Sequence, residues 1–220
     1  GHARVNLDHA FLGAMLQADE AGTLPYEAIV EFNRANTDSL DVPTHTEIVL
    51  TKSAFEYLFG IGQRVEEFVD ALRAVMPERQ GGDAPKGPLE QRWREARPRA
   101  SRPLEAWARE FCDVRGSAAH GQRRSGERFL WSENGHLAFA SILFPLALKQ
   151  RVQGPAYPLR ERDAVELERI EDYLMYDPFA GQDPVNHPWN RVYGRVLGEL
   201  MERGLRREFE KVDWADLPKG

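Results

Sequence analysis

The stretch SRPLEAWAREFCDVRGSAAHGQ, residues 101–122, decides the fold class. Leu104, Trp107, Phe111, Val114 and Ala118 recur at steps of three or four, which places them on one face of a helix. Ser101 and Pro103 mark its start, since serine caps helix entrances and proline loses nothing in the first turn, where its absent N–H has no partner to miss. Gly121 marks its end near His120, because glycine takes the left-handed conformation that commonly follows a C-cap. Patterns of this period recur along the chain. Alternating strand patterns are nearly absent, RFLW at residues 128–131 being a weak exception, and the expected fold class is all-α.

Upstream, VNLDHAFLGAMLQA from Val5 and LPYEAIVEFNRAN from Leu24 read as two helices separated by Gly22 and Pro25. A third is expected to open at Thr44, whose hydroxyl, with Glu47 three residues later, forms a capping box. Its period runs to about Met76 through Ile48, Phe55, Leu58, Phe68 and Leu72, with a kink or break expected at Gly60 and Gly62. Residues 77–88, PERQGGDAPKGP, contain three glycines and three prolines and read as a loop. Downstream of His120, QRRSGERFLWSENG leads to a buried helix from about His136 to Val152. A charged helix follows from Arg160 to Tyr176, and a last one from Pro188 to Phe209.

No apolar run approaches the ~18 residues needed to span a bilayer, and LAFASILFPLALKQR from Leu137 is short and broken by Pro145. No charged start followed by an apolar segment opens the chain, so no secretory signal is expected. One cysteine, Cys112, excludes an internal disulfide framework and points to a reducing compartment, with the cytoplasm as the expected location. The net charge of −6 argues against bulk electrostatic coating of nucleic acid. The charge is uneven, however: residues 86–128 hold eleven Lys/Arg against six Asp/Glu. A local excess of that kind attracts phosphate within a Debye length of ~8 to 10 Å.

The residues able to carry chemistry gather there. Arg115 and His120 are five positions apart, so on a regular helix they point about 140° away from each other, and only a terminus or bend brings them together. Gly116 and Gly121 bracket the segment. The other histidines, His2, His9, His45, His136 and His187, show no H-x3-H spacing and no second cysteine joins Cys112, so no metal site is expected. Phosphate-loop, dinucleotide and serine-hydrolase motifs are absent, and no cofactor is expected. Cys112, beside the apolar face, reads as a small buried hydrophobe.

RGSAAHG at 115–121 resembles the R-x4–6-H motif of the HEPN superfamily (the higher eukaryotes and prokaryotes nucleotide-binding domain), and in particular its ApeA-like branch. AIVEFNRANTDS at 28–39, EIVLTKSAFEYLFG at 47–60 and FASILFPLALKQ at 139–150 resemble further segments of that family in the same order, so the resemblance implies a helical domain over about 5–152 with a C-terminal helical extension over 153–220. The resemblance implies a HEPN-like helical bundle that pairs as a homodimer so that two R-x4–6-H segments face across a cleft. In active members it implies a metal-independent ribonuclease. There Arg115 would stabilise charge developing on phosphate oxygens and His120 would act as general acid or base, the chemistry these residue types suit. Many active members carry a polar residue directly after the arginine; here it is Gly116, with Ser117 one place later as the orienting group. Glu56, in the position of the family's helix acid, is a further candidate that could pair with Arg115 and hold it, a solvated glutamate being the commoner outcome. Arg123, Arg124 and Arg128 are candidates for phosphate positioning, and Trp93 within the arginine-rich QRWREARPRASRP is a candidate stacking platform for a base. The family setting is prokaryotic defence or toxin-type growth control, with an antitoxin or defence partner that the sequence does not identify. The alternative is an inactive module that binds RNA, a nucleotide or a partner protein through the same cleft.

Overall fold

The computed structural model describes residues 8–36, 42–76, 78, 85–119, 129–153, 157–178 and 189. Among them the helices run in chain order as α1 (His9–Glu20), α2 (Tyr26–Ala35), α3 (Thr44–Phe59), α4 (Val65–Val75), α5 (Glu90–Ala96), α6 (Pro103–Ala119), α7 (Glu133–Val152), α8 (Glu161–Glu168) and a 3₁₀ helix (Ile170–Met175). The described residues contain no strand, so the all-α class holds. None of their helices is long and apolar enough to cross a membrane.

The apolar stripe of α6 is the centre of the core. Leu104, Trp107, Phe111 and Val114 are each at most 1 % exposed. Trp107 stacks on Phe111 at 4.9 Å and meets Phe139 of α7 edge-on at 4.8 Å. Phe55 of α3 bridges outward from Trp107 to Phe68 of α4 and Phe144 of α7, and Phe144 stacks on Phe32 of α2 at 4.1 Å. Aromatic pairs contribute about 0.5–1.5 kcal/mol beyond their area, so this chain of rings fixes how α2, α3, α4 and α7 pack on one another and on α6. The break expected after α3 is present: Gly60 caps the helix at φ 65°, a conformation that favours glycine, and α4 starts five residues later.

Several expectations are corrected. Of the helix expected from Val5, residues 5–7 lie outside the described residues, and α1 begins at His9, where the Asp8 carboxylate caps it by accepting from the Phe11 amide at 3.1 Å. Thr44 is not a cap. Pro43 holds the extended conformation ahead of α3, and its carbonyl accepts from the Thr46 and Glu47 amides, so the threonine already lies inside the first turn. Part of the arginine-rich segment is the short helix α5. The single charged helix expected over 160–176 is two elements, since the chain tightens at Arg169 into a 3₁₀ helix that buries Ile170, Tyr173, Leu174 and Met175. Apart from Trp189, which is buried, the helix expected over 188–209 lies outside the described residues.

The 3₁₀ helix, with Asp177 just beyond it, is tied to the starts of α6 and α7. The compact unit containing α1 to α8 extends to Gly181, and residues 182–220 form a second. The reason is polar as well as apolar. Glu171, buried, accepts from the Leu104 amide at 3.2 Å and from Arg102 Nε at 2.6 Å, while Arg102 Nη1 donates to the Met76 carbonyl. Asp177, also buried, accepts from the Ser132 amide at 2.6 Å just before α7. Both carboxylates thus sit at helix N-termini, where amides lack intrahelical partners and the helix dipole favours negative charge. The Trp131 indole donates to the Leu174 carbonyl at 3.1 Å. Gly87 lies so close that an added Cβ would stand 2.6 Å from Met175.

Candidate functional site

The C-terminal third of α6 carries Arg115, Gly116 and Ser117, all half-buried, and the helix ends at Ala119. Pro103 fills its first position, and Glu105 reaches back from the first turn to accept from the Ser101 amide at 2.8 Å, which anchors the far end. Arg115 Nη1 donates to Gln63 Oε1, in the turn between α3 and α4, at 3.4 Å. That contact is long and uncharged. Other buried or half-buried arginines around α6 are paired with carboxylates: Arg97 with Asp113 at 2.6 Å, Arg102 with Glu171 at 2.6 Å, and Arg109 with both oxygens of Glu66. Arg115 has no carboxylate partner among the described residues, and its Nε is buried without an acceptor. A guanidinium in that condition retains donors and charge for an anion.

A Cβ placed on Gly116 would meet nothing within 4 Å, so the residue after the arginine faces open space. Ser117 follows it on the helix. His120, Arg123, Arg124 and Arg128 lie outside the described residues.

Two expected site residues are placed elsewhere. Glu56 does not hold Arg115: its Oε1 accepts from Lys52 Nζ one helical turn away at 2.9 Å. The cause is the burial of Lys52, which is 1 % exposed with its ammonium 4.4 Å from the centre of the Phe68 ring. A buried ammonium requires a counter-charge, and Glu56, at i+4, is the carboxylate in reach. Trp93 is 4 % exposed, its body packed inward and Arg94 lying 5.1 Å over its ring, so it offers no open face for a base.

Cys112 lies between these groups. Burial pushes its thiol up to about 11, with Lys52 and Arg115 pulling down and Asp113 and Glu56 pushing up. At neutral pH it is a protonated, weakly reactive thiol, in keeping with a packing role.

Lys52 and Gln63 escaped the sequence reading. A lysine within THTEIVLTKSAFEYLF resembles an ordinary surface residue, and only the bulk of Phe68 across from it reveals its burial. A second buried polar set was equally hidden: His136 Nε2 lies 3.3 Å from Glu110 Oε1, both side chains at most 2 % exposed, with Glu110 also accepting from the Trp131 amide. The imidazole stacks against Phe111 and stands near Trp107 and Trp131. It lies in the core between α6 and α7, away from the exposed end of α6.

A cleft lies along α6 before Arg115. Its volume is about 330 Å³, and it opens between the start of α4, the turn at 96–99 and the Arg109 to Asp113 face. Among the described residues no group of three or more His, Cys, Asp and Glu is arranged to hold a metal ion. Compared with protein-family models, curated proteins and solved structures, the chain finds no match.

Proposed function

We propose that this chain is an endoribonuclease of the HEPN type, cleaving RNA by attack of its own 2'-hydroxyl and working as a homodimer that faces two Arg115–His120 segments across one cleft. The observation that carries the reading is the state of Arg115: half-buried, at the end of α6, and without a carboxylate partner among the described residues while Arg97, Arg102 and Arg109 all have one.

In the reaction the 2'-oxygen forms a bond to phosphorus, the bond from phosphorus to the 5'-oxygen breaks, and a 2',3'-cyclic phosphate and a 5'-hydroxyl result. One proton leaves the 2'-hydroxyl and one reaches the departing oxygen. His120 serves one of these transfers and its partner-subunit copy the other, each contributing about 10² to 10⁴-fold. Arg115 places N–H donors and positive charge against the non-bridging oxygens as the pentacoordinate state forms. Ser117 orients the phosphate. Glu56, bound to Lys52, has no part in the proton transfers.

Gly116 favours a second reading, a binding module that holds RNA without cutting it, since the polar residue common after the arginine is replaced. One experiment separates the two. Purified protein is incubated with end-labelled single-stranded RNA in EDTA, alongside His120→Ala and Arg115→Ala. The nuclease reading expects cyclic-phosphate ends that vanish in both variants. Equal cleavage by all three proteins sinks it, and retention of RNA without cleavage assigns the binding module.

A further inference from the structure

We propose that the cleft between α4 and the turn at 96–99 is a subsite for one nucleotide of a single-stranded RNA lying across α6; the proposal rests on the reading of RNA as the substrate.

The walls of the cleft divide by chemistry. Val65, Ala96 and Pro98 supply apolar surface on which a base can lie, and the rest of the lining is charged, three arginines with the carboxylates of Glu66 and Asp113. Two of those arginines are already neutralised. Arg109 donates to both oxygens of Glu66 at 2.6 and 2.8 Å, and Arg97 donates to Asp113 at 2.6 Å. Arg99 is exposed, lines the same cleft and makes no hydrogen bond or ion pair among the described residues, its charge acting on Glu66 through space, so three arginines against Glu66 and Asp113 leave the lining with one net positive charge. One phosphate balances it.

Size and placement agree with this occupant. A volume of about 330 Å³ is at the lower end of the ~300–1,000 Å³ usual for small-molecule pockets, room for a single nucleotide unit. A base must be unstacked to enter, which a single strand allows and a duplex does not. Arg109, Asp113 and Gly116 recur at i, i+4 and i+7, so the cleft and the open space over Gly116 occupy one stripe of α6. They are separated by about 10 Å along the helix axis. A strand seated with one phosphate at Arg115 therefore runs over Gly116, where a side chain would obstruct it, and places a neighbouring nucleotide beside Arg99. The absence of a side chain at residue 116 becomes a feature of the RNA path.

The test is fluorescence anisotropy of a short labelled single-stranded RNA on His120→Ala protein between ~50 and 200 mM salt, the range over which phosphate contacts are read from the slope. Arg99→Ala is added on that background, with Arg162→Ala, an exposed arginine of α8, as a control of equal charge. The expected result is a salt slope shallower by about 0.7, one phosphate contact on a single strand, for Arg99→Ala alone. Equal slopes for both variants, or no RNA binding by the parent, overturns the subsite. Adenosine 5'-monophosphate is titrated in parallel. If it binds in an Arg99-dependent way while RNA binding ignores Arg99, the cleft takes free nucleotides and the RNA assignment falls. Cleavage by wild-type protein is scored separately. Arg99-dependent binding without cleavage keeps the subsite and rejects the nuclease, whereas cleavage with binding indifferent to Arg99 does the reverse.

Discussion

Replacing Glu171 by Ala removes a buried carboxylate from between α6 and the 3₁₀ helix. It takes the 2.6 Å acceptor from Arg102 Nε, whose side chain is 10 % exposed, and it frees the Leu104 amide from its 3.2 Å bond. Breaking a buried ion pair from one side costs about 3–5 kcal/mol because an uncompensated charge remains. Arg102 keeps other contacts, the Met76 carbonyl at Nη1 among them, so the loss belongs at the low end of that range, near ~3 kcal/mol. For a chain of this size each kcal/mol shifts Tm by roughly 2–4 °C, which makes the expected drop about 6–12 °C. Urea unfolding followed by tryptophan fluorescence measures it directly, since Trp131 is bonded to the same 3₁₀ helix. Joining Arg102→Met to Glu171→Met should recover most of the loss, because an apolar pair leaves no charge behind. A cost below about 1 kcal/mol for Glu171→Ala, or a double variant as unstable as the single, would refute the view that this segment is integral to the core.

Lys52 and Glu56 should respond asymmetrically. Glu56→Ala strands a buried ammonium and costs about 3 kcal/mol or more, whereas Lys52→Met leaves a carboxylate that is 15 % exposed and can hydrate, so chemical denaturation should find it the milder change. Gly116→Ala should raise stability by about 0.5–1 kcal/mol in the same assay, since the helix loses a glycine and the new methyl meets no neighbour. Burial pushes the Glu105 carboxyl up, but the Ser101 amide, the Arg73 guanidinium and the Ser101 hydroxyl outweigh it and hold the group below its ordinary value of 4.5. Its folded value is thus the lower one, so its stabilising contribution is complete above pH 4.5 and disappears as the pH falls through the folded value. Unfolding curves of wild type and Glu105→Gln should accordingly differ at pH 7 and converge in acid.

The helical class was legible because a period of three to four residues survives tertiary packing, as Leu104, Trp107, Phe111 and Val114 show. Proline and glycine were reliable punctuation at Gly60 and Pro103, where they act through backbone geometry alone. What failed depended on partners distant in sequence. Trp93 looked available because its neighbours are arginines, yet burial is decided by elements far along the chain. Glu56 was a candidate partner of Arg115 by family position, while the buried Lys52 on its own helix claims it. The ties of the segment after residue 152 to the bundle were not legible either: the bonds of Glu171 and Asp177 to the starts of α6 and α7 span 67 and 45 residues and leave no periodic trace. Arg115 itself was found from its motif, but its lack of a carboxylate partner required the positions of every neighbouring acid.

The two ends of α6 have different duties in the molecule. Glu171 bonds its first turn, and Arg115 lies eleven residues beyond Leu104, about 16 Å along the axis. Substitutions more than ~7–10 Å apart without shared partners usually add. The strapped end can therefore be strengthened to offset losses incurred at the other, and changes at residues 115–117 can be sampled without rebuilding the scaffold. Such separation makes the exposed end of α6 evolvable: chemistry there can be gained, retuned or given up while the fold persists.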